Sequence, residues 1–176
     1  MQLKDIGMIA ADTSRTYIYL KALIENDILP NHVIVLVNDE SRLKPGQANS
    51  SSKEKLIETL KESRIPFSVS NYSNINSKEF ISLIKHRQED VFIYSGFGGV
   101  LLRSEVLNAG KSFLHVHGGF LPDYKGSTTN YYSILNENTV GASSIFLTKD
   151  IDCGPVIQRK KYPIPAYTST IDHIYY

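Results

Sequence analysis

Cysteine and tryptophan are nearly absent, since the 176-residue chain contains one cysteine, Cys153, and no tryptophan. A single cysteine excludes an internal disulfide framework and favours a reducing, cytoplasmic location. The chain has no signal-peptide pattern and no apolar run of membrane-spanning length, so we expect no membrane partner. Lysine and arginine number 19 and aspartate and glutamate 18, a net charge of +1, which gives no sign of a broadly basic nucleic-acid-binding surface.

The composition is that of an ordinary globular protein, with 41% apolar and 21% charged residues. Those fractions allow a buried core and are too apolar for a disordered chain. The length suits one domain, which we place at residues 1–165. Residues 166–176 begin a pattern typical of a capped helix, so we interpret them as the start of a C-terminal segment that the end of the chain cuts short.

Apolar runs typical of strands alternate with helical patterns along the first hundred residues. The predicted strands are 6–11, 33–37, 67–70 and 91–94. Apolar residues with the spacing of a helix occur after residue 14, at 52–63 and at 80–84. Further strands are predicted at 113–116, 143–147 and 156–163, with a helix around 131–135. This order predicts an α/β fold, an open, mostly parallel twisted sheet with helices on both faces and ligand sites beyond the carboxyl ends of the strands.

The densest polar cluster is LHVHGGFLPDYKG, residues 114–126, at a predicted strand end. Alternate residues of a strand share one face, so His115 and His117 can point the same way. The pair alone does not decide between a functional site and one core histidine beside a solvated one. A metal site would need further ligands, but the other histidines lie on unrelated predicted segments, so we predict no metal site.

Two further segments admit both a structural and a functional interpretation. Asp152 precedes Gly154, where it could shape a turn or orient a histidine. The Ser-Gly-Phe-Gly-Gly run at 95–99 lacks the lysine of a P-loop, and no dinucleotide fingerprint follows the first strand. Its glycines indicate either a simple turn or a backbone that a flat ligand approaches closely, with Phe97, Val100 and Leu101 as apolar walls.

Taken together, LHVHGGFLPDYKG and IDCGPVI, whose Asp152 lies 35 residues after His117, resemble the N-formyltransferase family that uses 10-formyltetrahydrofolate. The family pattern is approximately Asn-x-His-x-Ser-Leu-Leu-Pro-x-Tyr-Arg-Gly, then Gly-x-Thr and Leu-Asp-x-Gly-Pro-Ile. His117, Gly141 and Asp152 match this pattern. The run YSGFGGVLL at 94–102 is similar to the segment that forms one wall of the folate site in the family. The family's asparagine and serine are replaced by His115 and Gly119.

This resemblance implies a Rossmann-like formyltransferase fold, with residues 1–165 as the catalytic domain and 10-formyltetrahydrofolate as the formyl donor. The catalytic residues it implies stabilise an oxyanion and move a proton from the attacking amine, and they are His115, His117 and Asp152. The implied cofactor-binding residues are Gly96, Phe97, Gly98, Val100 and Leu101, to which we add Asp150.

Family members formylate glycinamide ribonucleotide, initiator methionyl-tRNA or amino sugars on nucleotides. The aromatic and hydroxyl side chains of residues 127–132 favour a small amine, an amino-sugar nucleotide, over nucleic acid, although a tRNA acceptor stays open. Two alternatives remain at this point. The same residues could hydrolyse the donor with water, and the replacement of asparagine by His115 would suit a non-catalytic folate-binding or regulatory module.

Overall fold

The computed structural model describes residues 1–36, 50–70, 72 and 74–164. The chain divides into two compact units, Met1–Lys111 and Ser112–Tyr176. The C-terminal segment predicted at 166–176 lies outside the described residues. Within the described part of the chain, no helix is long and apolar enough to cross a membrane.

The first unit alternates strands with helices, as the sequence predicts. Its strands are β1 (Gln2–Leu3), β2 (Ile6–Ala10), β3 (Leu29–Pro30), β4 (Val33–Val35), β5 (Phe67–Val69) and β6 (Val91–Ser95). Its helices are α1 (Ser14–Glu25), α2 (Ser50–Glu62), α3 (Lys78–Lys85) and α4 (Ser104–Leu107). Strands β5, β4, β2 and β6 form a parallel sheet in that order, and β1 pairs with β3.

Most element boundaries agree with the predicted ones to within two residues. Helix α2 begins at Ser50, two residues before its predicted start at 52. The short elements β1, β3 and α4 were not predicted, because two to four residues are too few to show a hydrophobic period.

The core of the first unit packs α1 and α2 against one face of the parallel sheet. The buried residues of this cluster are Met8, Ala10, Leu20, Val33, Val35, Leu56, Leu60 and Ile65. Ile9 and Ile34 point to the opposite face because side chains alternate along a strand, and they are equally buried. Helix α3 contributes Phe80, Ile81 and Ile84 to the buried surface. The predicted α/β class, with helices on both faces, is confirmed.

The second unit is antiparallel, with strands β7 (Ser112–His117), β8 (Thr139–Phe146) and β9 (Val156–Pro163) in that order. Helix α5 (Thr129–Glu137) connects β7 to β8, and a turn without a helix connects β8 to β9. Strand β8 starts four residues before the predicted 143, because Gly141 and Ala142 weaken the apolar pattern while pairing with β9 still holds the backbone extended.

A buried charge stabilises the first unit near the start of β6. The side chain of Glu89 is 0% exposed and accepts hydrogen bonds from Arg87 Nε at 2.9 Å, Arg87 Nη2 at 2.7 Å and Asn31 Nδ2 at 2.7 Å. Burial alone would raise the pKa of Glu89, but the hydrogen bonds from Arg87 and Asn31 outweigh it and lower that pKa to about 2. The carboxylate is therefore stabilised in its charged form.

We expect the Glu89→Gln variant to lose about 2–4 kcal/mol of unfolding free energy at pH 7, because it leaves the Arg87 guanidinium without its buried partner. In the native protein, the carboxylate contribution is complete above the ordinary glutamate value of 4.5 and is lost as the pH falls toward about 2. Urea unfolding between pH 7 and pH 2.5 measures both effects. Equal acid sensitivity in the two proteins would contradict this account.

Candidate active site

His117 is the last residue of β7 and is only 6% exposed. Its Nε2 lies 2.8 Å from the carbonyl oxygen of Tyr124. A carbonyl oxygen can only accept, so Nε2 carries the hydrogen of this bond. The other ring nitrogen, Nδ1, faces Oδ1 of Asp152 at 3.5 Å. Both nitrogens of the ring therefore have defined neighbours.

Asp152 reaches His117 from the turn between β8 and β9. Its backbone has a φ of +52°, in the left-handed region that aspartate adopts more readily than most residues. Its Oδ2 accepts a hydrogen bond of 2.8 Å from the backbone N–H of Gly126. The carboxylate thus binds the loop after β7 instead of its own turn, and the structure places the predicted pair His117 and Asp152 side by side.

His115 lies two residues before His117 on β7, so both start from the same face of that strand. In the antiparallel pairing His115 stands opposite Ile145 and His117 opposite Ser143. His115 is half-buried, whereas Val116 between them is exposed. The predicted sharing of one strand face is therefore present in the structure.

Gly119 occupies a position where any side chain would collide with the site. A Cβ there would lie 2.6 Å from the Tyr124 carbonyl oxygen, 2.7 Å from His117 Nε2 and 3.0 Å from Thr129 Oγ1. The serine of the family pattern could not occupy this position without a shift of the ring or the loop. Glycine here permits the hydrogen bond between His117 and Tyr124.

Ser143 fixes the start of the same loop, and sequence reasoning missed it. Its hydroxyl accepts from the Leu121 N–H at 3.0 Å and donates to the Gly119 carbonyl at 2.7 Å. The side chain is almost fully buried, so both bonds are protected from water. Ser143 stands where the family pattern Gly-x-Thr has its threonine, and this position was the sequence signal that could have identified it.

The stretch 127–132, predicted to recognise the acceptor, contains both buried and exposed side chains. Thr129 and Asn130 are buried, where Thr129 Oγ1 donates to the Gly118 carbonyl and Asn130 Oδ1 accepts from the Gly141 N–H at 3.1 Å. Ser127, Thr128 and the two tyrosines are exposed. Two of the six residues therefore hold the fold, and the other four lie at the surface.

The predicted folate segment, residues 96–101, follows β6 in the first unit. A Cβ at Gly96 would lie 2.1 Å from the Tyr94 hydroxyl, whereas Gly98 and Gly99 have open space around them. Leu101 is 60% exposed, and Phe97 and Val100 are half-buried. The predicted Asp150 lies exposed in the second unit. No group of three or more metal-ligating side chains occurs within the ranges described above.

Comparison with known proteins identifies the family. The family model described as formyl transferase matches residues 6–176, almost the whole chain. The chain belongs to the formyl transferase family. The family predicted from the two sequence motifs is thus confirmed.

Among curated members of the formyl transferase family, the methionyl-tRNA formyltransferase of Streptococcus uberis is 26% identical over 164 residues, 92% of this chain and 50% of that protein. The methionyl-tRNA formyltransferase of Latilactobacillus sakei is 27% identical over 156 residues, 86% of this chain and 46% of that protein. The chain spans about half the length, or less, of the curated relatives that it matches.

Solved structures of formyltransferases share the fold. The phosphoribosylglycinamide formyltransferase of Streptococcus pneumoniae TIGR4 superposes with a TM-score of 0.67 at 18% identity, over 98% of this chain and 88% of that one. A sugar N-formyltransferase from Shewanella sp FDAARGOS_354 gives a TM-score of 0.61 at 16% identity, over 92% of this chain and 58% of that one. The predicted Rossmann-like formyltransferase fold is therefore confirmed.

The glycine of the Asp-Cys-Gly-Pro turn provides a test of the site's architecture. A Cβ at Gly154 would lie 1.8 Å from the carbonyl oxygen of Phe146, so Gly154→Ala must displace the turn that carries Asp152. We expect a loss of about 2–3 kcal/mol in unfolding free energy, measured by urea denaturation. Gly98→Ala, at a position with open space, is the matched control and should change stability little. Equal stability of the two variants would contradict the tight packing at Gly154.

Proposed function

We propose that this formyl transferase family member transfers a formyl group from 10-formyltetrahydrofolate to a primary amine. The observation that carries the proposal is the buried His117 with Asp152 Oδ1 3.5 Å from its Nδ1, on a chain whose motifs match the family. The bound donor would supply an activated formyl group, and transfer yields an N-formyl product while the folate nitrogen gains the proton that the amine loses.

His117 and Asp152 have complementary roles in this proposal. The carboxylate faces Nδ1 and orients the ring, whose Nε2 carries a hydrogen. Such a ring donates from Nε2 toward the negative charge that develops on the formyl oxygen, as transfer requires. In the present conformation that N–H is donated to the Tyr124 carbonyl, so the proposed role requires the ring or the loop to release it. Asp152 then assists the proton transfer from the amine, and His115 is the proposed second donor.

The segment 96–101 fits the flat ring of a folate. Gly98 and Gly99 leave its backbone open, since a Cβ at either would meet nothing within 4 Å. Leu101 presents an exposed apolar surface beside them, and aromatic rings pack well against such surfaces. We therefore keep Gly96, Phe97, Gly98, Val100 and Leu101 as the proposed donor-binding residues of the first unit, and Asp150 as that of the second.

For the acceptor we propose an amino-sugar nucleotide. The support is the exposed hydroxyl and aromatic side chains of Ser127, Thr128 and Tyr132, groups that can hydrogen-bond and stack against a sugar or a base. The solved sugar N-formyltransferase of Shewanella has the same fold. Other relatives are named for methionyl-tRNA and phosphoribosylglycinamide, and those acceptors belong in the same test.

Asp152→Asn separates catalysis from turn formation. Asparagine also adopts left-handed backbone and can still accept from the Gly126 N–H, but it lacks the negative charge facing His117. We expect formyl transfer to fall about 100-fold or more, while the Kd for 5-formyltetrahydrofolate stays nearly unchanged. Stopped-flow or quenched assays of the N-formyl product measure the rate.

The matched control is Asp123→Asn, which removes an exposed carboxylate from the loop after β7 and should leave the rate unchanged. His117→Ala should lose at least as much activity as Asp152→Asn. A normal rate in Asp152→Asn would assign Asp152 to the turn and remove it from the proposed mechanism.

A panel of amines decides the acceptor. We expect N-formylation of amino-sugar nucleotides, detected by mass spectrometry, and at most slow formylation of glycinamide ribonucleotide and methionyl-tRNA. Product found only with the latter two would contradict the amino-sugar proposal. Formate released without any amine, as fast as the best transfer, would favour a hydrolase instead.

A further inference from the structure

We propose that Arg15 and Asn76 are positioning residues that hold the two ends of segment 96–101 and thereby set the affinity for the folate donor. The inference rests on the proposed function, since it assumes that this segment contacts the donor. Neither side chain belongs to the segment itself, since Arg15 lies in α1 and Asn76 in the turn before α3.

Arg15 holds the first end of the segment from the first turn of α1. Its Nη2 donates to the carbonyl oxygen of Gly96, and its Nε lies 3.4 Å from the Ser95 hydroxyl. That hydroxyl lies 2.7 Å from Thr16 Oγ1, and both side chains are fully buried. The Ala11 N–H donates to the Ser95 carbonyl at 2.7 Å. Helix α1 and the end of β6 are thus fixed to each other where the segment begins.

The Tyr94 side chain packs against Gly96. A Cβ on Gly96 would lie 2.1 Å from the Tyr94 hydroxyl, so any side chain at this position would have to displace the buried Tyr94 ring. Burial raises the pKa of Tyr94 to about 12, although the nearby Arg15 cation opposes that rise. The phenol is therefore neutral at physiological pH, and the Arg15 cation stays available to the Gly96 carbonyl.

Asn76 holds the far end of the segment with both ends of its amide. Its Nδ2 donates to the Leu101 carbonyl at 2.9 Å, and its Oδ1 accepts from the Arg103 N–H at 2.8 Å. Asn76 is itself held, because its backbone N–H donates to Asn74 Oδ1 at 3.0 Å. The amide thus spans the residue between Leu101 and Arg103.

The middle of the segment is an exposed, glycine-containing turn. Gly98 and Gly99 are exposed, Gly99 has a φ of +76°, and a hydrogen bond of 3.3 Å from the Val100 N–H to the Phe97 carbonyl closes a turn. Glycines lose more backbone freedom on ordering than other residues. Fixing both ends in advance reduces the ordering cost at binding, and preorganisation of this kind increases affinity.

The test measures donor binding directly, by isothermal titration of the complete chain with 5-formyltetrahydrofolate. We expect the Kd to rise about tenfold in Arg15→Gln and in Asn76→Ala, the scale of one or two lost hydrogen bonds. Arg15→Lys keeps the cation and should recover part of the affinity. At saturating donor, kcat and the KM for the amine should stay within about twofold of the native values, because the variants alter donor binding alone.

Lys21→Gln is the matched control, since this exposed α1 lysine pairs only with Glu25 at 3.8 Å in the residues described. If the native chain does not bind 5-formyltetrahydrofolate, the donor assignment in the proposed function fails. If it binds and neither variant changes Kd, the positioning role is wrong. A fall in kcat with unchanged Kd and KM values would indicate a smaller active fraction caused by general destabilisation, and would also contradict it. Should Arg15→Gln fail to fold, Asn76→Ala decides the outcome.

Discussion

The carboxylate of Asp152 connects the parts of the second unit on which the site depends. One oxygen lies 3.5 Å from His117 Nδ1, and the other accepts from the Gly126 N–H at 2.8 Å. A hydrogen bond from backbone and a contact with a ring nitrogen fix the position of the carboxylate more strongly than either would alone. The left-handed backbone at Asp152 and the close approach of Gly154 to β8 deliver that carboxylate to the ring.

Glycines and small polar side chains let the loop after β7 pack on β8. Gly119 admits the Tyr124 carbonyl and the His117 ring, and a Cβ at Gly141 would lie 2.5 Å from the Phe120 nitrogen. Ser143 and Asn130 satisfy the buried backbone groups that this packing removes from water. These polar residues therefore support the geometry of His117.

The first unit combines a rigid sheet with an open segment at its edge. Strand β6 pairs with β2 along its whole length, and the Glu89 ion pair fixes the chain just before it. The segment after β6 begins outside this rigid frame at Gly96, whose carbonyl oxygen accepts a hydrogen bond from Arg15. Such a frame gives a binding loop fixed ends and a free middle, an arrangement suited to holding a flat ligand against exposed backbone.

The sequence by itself determined the alternation of strands and helices and the existence of two polar motifs. Those signals depend on residues close together in the chain, such as the apolar run of β2 or the period of α3. The partnership of His117 with Asp152 followed only from resemblance, because local spacing does not bring together residues 35 positions apart. Only the tertiary structure shows the contacts of Gly119, Ser143 and Arg15. Arg15 meets Gly96 across 81 residues, and such contacts exist only once packing has joined distant segments.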